Sequence, residues 1–236
     1  MKNEVCLLCN QPLNVAFSLE DFLTVKKDAN KTTKTTSSIC ADCKTTFQNI
    51  DQNHCSQCGR QQLDDTLCED CVRWEHQTAP LINHAAFSYT DSMHDLMRRY
   101  KRYGDYVLSG VLTELAEEKL SALIAATHYD FFVPLPTDPR HIKARGFDTI
   151  TSIFEPLLPL TPVLNKLPTE RAQSQKDRKE RMETKQSFYY DSKQRLTGRI
   201  LLLDDLYTTG RTFYHARDAV LLQNPNCQIE SFSIIR

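Results

Sequence analysis

The spacing of apolar residues divides the chain into two parts. From about Ala79 onward, apolar runs recur at strand and helix periods; before it they are short and widely separated. The densest run, Ile200-Leu201-Leu202-Leu203, has no polar alternation, the pattern of a strand buried on both faces at the centre of a parallel sheet. Phe213, Ala216, Ala219 and Val220 then repeat at helical spacing through Leu222. Upstream, Val107–Ala126 is amphipathic, with Val111, Leu112, Leu115 and Leu123 among its apolar positions, and predicts a helix packed on the sheet. A strand from Ala85 runs into Asp91, which suits an N-cap, and a helix through Arg102. Asp130–Pro136 reads as a second buried strand closed by a proline-rigid turn, and Phe147–Leu158 as a short helix. Strands are also expected from Val163, over Ser187–Tyr190 and over Gln228–Ile235. Strands alternating with helices predict an α/β fold around a parallel sheet, with ligands at the carboxyl ends of the strands.

Residues 1–75 are too few and too polar to fold on apolar burial alone, so something else must staple them. The chain has nine cysteines, and eight form four Cys-x2-Cys knuckles: Cys6/Cys9, Cys40/Cys43, Cys55/Cys58 and Cys68/Cys71. Two-residue spacing lets two thiolates grip one tetrahedral ion, so eight thiolates supply two structural zinc sites. The reading adopted groups consecutive knuckles, Cys6/Cys9/Cys40/Cys43 and Cys55/Cys58/Cys68/Cys71, with a cross-braced grouping as the alternative. Gly59 suits the tight turn of a knuckle, and Lys26–Ser38 reads as an exposed loop. Trp74 to Pro80 marks the junction, giving a zinc-binding module over 1–78 and an α/β domain over 79–236.

Charge changes this picture little. Lys and Arg number 29 against 30 Asp and Glu, so bulk charge marks neither part as a nucleic-acid module, and such binding would come from local patches. No apolar run is long enough to span a bilayer, and the N-terminus lacks a secretory pattern; with the cysteine usage, this predicts a cytoplasmic protein without membrane insertion.

Candidate chemistry lies where the central strand ends. Asp204 and Asp205 are followed by Tyr207-Thr208-Thr209-Gly210-Arg211-Thr212 and then a helix. Free N–H groups at the helix start, a glycine admitting close approach and threonine hydroxyls make an anion cradle, while the acids face sugar hydroxyls. The stretch resembles the phosphoribosyl-pyrophosphate (PRPP) motif of type I phosphoribosyltransferases: apolar residues, two acids, then Thr-Thr-Gly-x-Thr. That likeness implies a type I phosphoribosyltransferase-like, doubly wound sheet binding PRPP with Mg2+. No Gly-x4-Gly-Lys-Ser/Thr occurs, which excludes a Walker-type loop. A departing pyrophosphate needs cationic or backbone donors, for which Arg140–Asp148 is the best candidate, Arg being suited to bidentate phosphate contacts. Two further segments have two readings each. Arg98, Arg99, Lys101 and Arg102 with Tyr100 and Tyr103 form either a solvated face or a phosphate-contacting patch with stacking tyrosines. Thr169–Gln186 is either a solvated loop or a lid carrying cations over the site, the latter preferred.

A cysteine-rich N-terminus, Pro134-Leu135-Pro136, Arg145-Gly146-Phe147, a Gln/Arg-rich loop ending in Phe188 and Asp204-Asp205-x-x-Thr208-Thr209-Gly210 together resemble the ComF/ComFC late-competence family along essentially the whole chain. The resemblance implies a role in DNA uptake during natural transformation, with single-stranded DNA and a ComFA-like helicase as partners. Carried onto matching positions, it implies PRPP contacts at Asp204, Asp205, Thr208, Thr209, Gly210 and Thr212, with Arg211 counted among the cofactor-binding residues of the same loop. It also implies roles for Arg145, Gly146, Gln175 and Arg181. Asp148-Thr149 stand where the family often has Asn-Gln, and Arg211 where a small residue is frequent. Two uses of the site follow: a PRPP-binding competence protein, or an active phosphoribosyltransferase of unknown acceptor in nucleotide metabolism.

Overall fold

A computed structural model describes residues 5–13, 37–166 and 186–236. It contains two compact units, Met1–Thr46 and Phe47–Arg236.

In the smaller unit a Val5–Pro12 bridge closes the first knuckle, with the Cys6 N–H donating to Gln11 O at 2.8 Å. The turn passes through Asn10 at φ 61°, a left-handed position that Asn tolerates. The second knuckle opens helix α1 (Ala41–Thr45), whose N-cap is Cys40.

The larger unit is built on a four-stranded sheet in the order β1-β6-β5-β2, every neighbouring pair parallel. Its strands are β1 (Asn83–Phe87), β2 (Phe131–Pro134), β5 (Arg199–Leu206) and β6 (Gln228–Ile235). Ile200 to Leu203 of β5 are fully buried, as the unbroken apolar run requires for a strand covered on both faces. Ile200 and Leu202 pack with Phe213, Ala216 and Val220 of helix α7 (Arg211–Gln223). Leu201 and Leu203 point to the opposite face. Helix α3 (Asp91–Arg102) and helix α4 (Leu108–Ala126) carry the chain from β1 to β2, and α4 packs on β1 and β6. A separate antiparallel pair, β3 (Leu164–Lys166) with β4 (Phe188–Tyr190), lies against α7. The mixed α/β class with a parallel sheet is the one the residue pattern predicts.

The second cysteine quartet belongs to this larger unit. Cys68 caps helix α2 (Glu69–Glu75), which carries Cys71 and Trp74, and all four cysteines share a buried cluster with Ile200, Leu202, Phe213 and Tyr214. The cysteine-rich stretch 1–78 therefore spans both units: the first quartet lies in one, the second in the core of the other.

Local differences from the sequence reading have simple causes. The N-cap of α3 is Thr90, whose hydroxyl accepts from the Met93 N–H, and Asp91 is the first helical residue instead. Arg140–Asp148, read as a turn, overlaps helix α5 (Pro139–Arg145): Asp138 caps it, Pro139 occupies its first turn, and Gly146 ends it at φ 86°. The helix expected over Phe147–Leu158 shortens to α6 (Thr151–Phe154).

Candidate functional site

The parallel register brings Pro134, Leu206 and Ile235 to one edge of the sheet, and a cleft of about 400 Å3 opens beside β2 and β5. Asp204, Asp205, Thr208, Thr209, Arg211 and Thr212 line it. Gly210 is the residue before α7 and sits at φ 82°. A Cβ there would fall 2.2 Å from Tyr207 Oη, so both conformation and space demand glycine. A helix start leaves N–H groups without intrahelical partners, and α7 presents its own at this cleft.

The two acids differ in environment. Asp205 is 1% exposed and pairs with Lys101 Nζ at 2.6 Å. Asp204 is half-buried beside it, and burial together with the Asp205 charge pushes its carboxyl up to about 7. Two adjacent carboxylates that hold a proton near neutrality are a site short of positive charge. Such a pair, beside a glycine-opened helix start, fits a hydrated divalent cation and a phosphorylated sugar diol.

The lining is also cationic. Arg145 is part of it, its Nε donating to Lys101 O at 2.6 Å. Lys166 reaches in from β3 with its ammonium 5.6 Å from the Phe188 ring, burial lowering its pKa against the pull of Asp204. His141 and His215 also line the cleft, and burial pushes His215 down to about 4, leaving it neutral at physiological pH. Arg140 is turned away into an ion pair with Asp138 at 2.7 Å. Gly146, the end of α5, has no neighbour within 4 Å of a built Cβ. Gln175, Arg181 and the remainder of the expected lid lie outside the described residues, apart from Gln186 at its end.

Lys101, Lys166, Asp138 and His215 are among the lining residues that motif reading does not single out, whereas His141 falls in the Arg140–Asp148 segment. The only signal for Lys101 was the basic face of its helix. That face splits in the fold: Lys101 turns to Asp205, whereas Tyr100 is fully buried with its hydroxyl donating to Thr149 O at 2.8 Å. Tyr100 is therefore unavailable for stacking. Tyr103 and Tyr89 are exposed, and Arg98 lies 5.5 Å from the Tyr103 ring.

The cysteines converge as consecutive knuckles, Cys6/Cys9/Cys40/Cys43 and Cys55/Cys58/Cys68/Cys71, with all sulfurs of a group within 4.8 Å of one another. Tetrahedral Zn–S bonds of about 2.3 Å put ligand sulfurs roughly 3.8 Å apart. Cys9–Cys40 and Cys58–Cys68 are each at 3.7 Å, so both groups fit zinc. Either quartet can hold the metal as a closed structural site, leaving no position for substrate.

Fold and site thus define a metal-binding α/β protein whose acidic, glycine-opened cleft lies at the carboxyl edge of a parallel sheet. The chain is 31% identical over 233 residues to competence protein ComFC of Streptococcus pneumoniae (strain ATCC BAA-255 / R6), covering 98% of this chain and 99% of that protein. It is 26% identical over 237 residues to competence protein ComFC of Bacillus subtilis (strain 168), covering 98% and 95%. No protein-family model matches. The chain belongs to the ComF/ComFC competence family. Among the described residues, no helix is long and apolar enough to cross a membrane.

Proposed function

We propose that the protein is a cytoplasmic competence factor that binds PRPP with Mg2+ in the cleft at β5 and handles incoming single-stranded DNA beside a ComFA-like helicase. The observation that carries this reading is the convergence of Asp204, Asp205 and the Thr208–Thr212 loop with Lys101, Lys166 and Arg145 in one cleft.

The start of α7 and the hydroxyls of Thr208, Thr209 and Thr212 receive the sugar phosphate. Asp204 and Asp205 take the ribose hydroxyls. Lys166, Arg145 and His141 face the pyrophosphate. Mg2+ supplies charge neutralisation of the phosphates when bound. Lys101 is released from Asp205 as the acids engage the ligand, and its ammonium stays within the cleft. Any transfer from PRPP would draw on this preorganised charge rather than on a covalent nucleophile. Turnover with an acceptor is the second use of the same site.

Single-stranded DNA is assigned to the groove along α3, lined by Tyr89, His94, Arg98, Lys101 and Arg102 and reaching Leu206 of β5, with exposed Tyr103 beside Arg98. It combines cations for the backbone with faces for bases. This surface supports the DNA assignment, and the helicase is the partner that the family resemblance of the motifs implies.

Calorimetric titration with PRPP and Mg2+ tests the first assignment. One site per chain is expected, with affinity reduced at least about tenfold in the Asp204→Asn/Asp205→Asn variant through loss of charge-assisted hydrogen bonds. Wild-type protein that gives no heat with PRPP would overturn it. In cells the same double variant is expected to lose transformation. If it transforms normally while cysteine-quartet variants do not, the protein serves as a metal-stapled adaptor.

A further inference from the structure

The loop that opens the cleft is held from behind by the second cysteine quartet. Two backbone carbonyls of the loop have donors from outside it. Trp74 Nε1–H donates to Thr209 O at 2.7 Å, and Arg236 Nη1 donates to Thr208 O at 2.7 Å. Both donors are tied to the quartet. Trp74 lies one helical turn beyond Cys71 on α2, stacked at 4.1 Å on Tyr214 of α7. Tyr214 Oη in turn accepts from Gln57 Nε2 at 2.8 Å, within the third knuckle. Arg236 directs its other nitrogens at Cys58 Sγ, 3.0 and 3.2 Å away, and lies over the Tyr207 ring at 4.8 Å. The buried Tyr207 hydroxyl has no hydrogen-bond partner among the described residues. It acts as a wedge under Gly210, where even a Cβ would not fit.

We propose that Arg236 and Trp74 are positioning residues through which the Cys55/Cys58/Cys68/Cys71 site sets the conformation of the Thr208–Thr212 loop, so that phosphate-ligand affinity depends on the metal of this quartet and not on that of Cys6/Cys9/Cys40/Cys43. A metal holds the four sulfurs, and with them α2 and the Cys58 thiolate, in one arrangement. Arg236 bridges that thiolate to Thr208 O, and the indole bridges α2 to Thr209 O. With both carbonyls fixed, the peptide planes of the loop are fixed as well, and with them the direction of the N–H groups that face the cleft. The affinity part of the proposal rests on the PRPP reading above; the mechanical part does not.

Hydrogen exchange of the 207–212 backbone in the full chain, with metal content measured in parallel, tests the mechanical part. Trp74→Phe keeps the stack and loses only the donor; Arg236→Met keeps volume and loses the fork. Each is expected to retain both metals and to speed exchange in this segment at least about tenfold, the loss of one buried or charge-assisted hydrogen bond. Arg236→Lys, which can still reach one partner, is expected to recover part of the protection. With cobalt in place of zinc, Arg236→Met is expected to shift the thiolate-to-metal charge-transfer band, because a hydrogen bond to Cys58 Sγ is removed. Cys9→Ser, which empties the first quartet, is expected to leave the segment unchanged. Wild-type exchange in both donor variants at full metal content would overturn the coupling. Equal loosening in Cys9→Ser would overturn its assignment to the second quartet. PRPP titration of the same set then separates the two readings. If wild-type protein fails to bind PRPP while the donor variants still loosen, the PRPP assignment falls and the mechanical coupling stands. If wild-type binds and the loosened variants bind equally well, the link to affinity falls.

Discussion

Asp204 is placed where its charge is costly until something positive arrives. Its folded pKa is raised to about 7 by burial and by Asp205, against about 3.9 for a free aspartate. The folded state therefore binds the proton more tightly than the unfolded chain. The associated stability is fully present below about pH 4 and is lost as pH rises to about 7. Asp204→Asn should flatten that slope. In urea unfolding, the variant should exceed wild type by roughly 1–3 kcal/mol at pH 8 and match it near pH 4; equal stability at pH 8 would contradict the assigned shift. Cation-assisted ligand binding must displace the same proton, so PRPP–Mg2+ affinity is expected to rise between pH 6 and 8, read by calorimetry in buffers of different ionisation heat. Lys101→Met leaves the buried Asp205 carboxylate without its counter-charge, at a cost of about 1–3 kcal/mol by thermal unfolding at pH 8, discounted for the partial exposure of the lysine. The two acids were readable as a pair because adjacent carboxylates after a four-residue apolar strand have few structural uses. Lys101 and Lys166 were not singled out, because one basic residue among several on a helix, or one on a three-residue strand, carries no periodic mark of where it will point.

Among the elements, the loop before α7 is the least tolerant of change. Gly210→Ala faces both a left-handed backbone and the Tyr207 ring, and is expected to destabilise the larger unit by more than about 1 kcal/mol. It should also remove PRPP binding, measured as a lost calorimetric signal in protein that retains its far-ultraviolet circular dichroism. Elements with an unbroken pattern were legible to within a few residues: β5 from its four apolar positions and α4 from its stripe. Those decided by capping were not. Helix α5 spans seven residues and buries none of them, so no apolar face announced it, and only Asp138-Pro139 and Gly146 at its ends record its limits. Tyr100 could not be told from Tyr103 for a related reason. Three residues apart, the two would share one helical face, but α3 ends at Arg102 and Tyr103 is its C-cap, so Tyr100 enters the core while Tyr103 stays in water.

At the scale of the whole molecule, two four-thiolate sites predict about two zinc ions per chain by metal analysis, and a value near one would remove one quartet from the account. Their removal should have unequal consequences. Cys55→Ser opens a cluster that includes Ile200, Leu202 and Phe213, so the larger unit is expected to lose its cooperative thermal transition; Cys9→Ser is expected to leave that transition in place. The exposed cations Arg98 and Arg102 make a separate prediction: replacing both with alanine should weaken single-stranded DNA binding and reduce the salt slope of log K by up to roughly 1.4, measured by fluorescence anisotropy. The cysteine spacing made both metal sites legible, but not that the second would be built into the core behind the catalytic-looking loop. That placement depends on long-range contacts, Trp74 with Thr209 and Arg236 with Cys58, which leave no local pattern.

Trp74 is the chain's single tryptophan, and its indole nitrogen touches the loop that opens the cleft. Intrinsic emission excited at the red edge therefore comes from one known place. The protein carries a built-in optical gauge of that loop, readable without labels during a titration, a chelation or a stopped-flow mix.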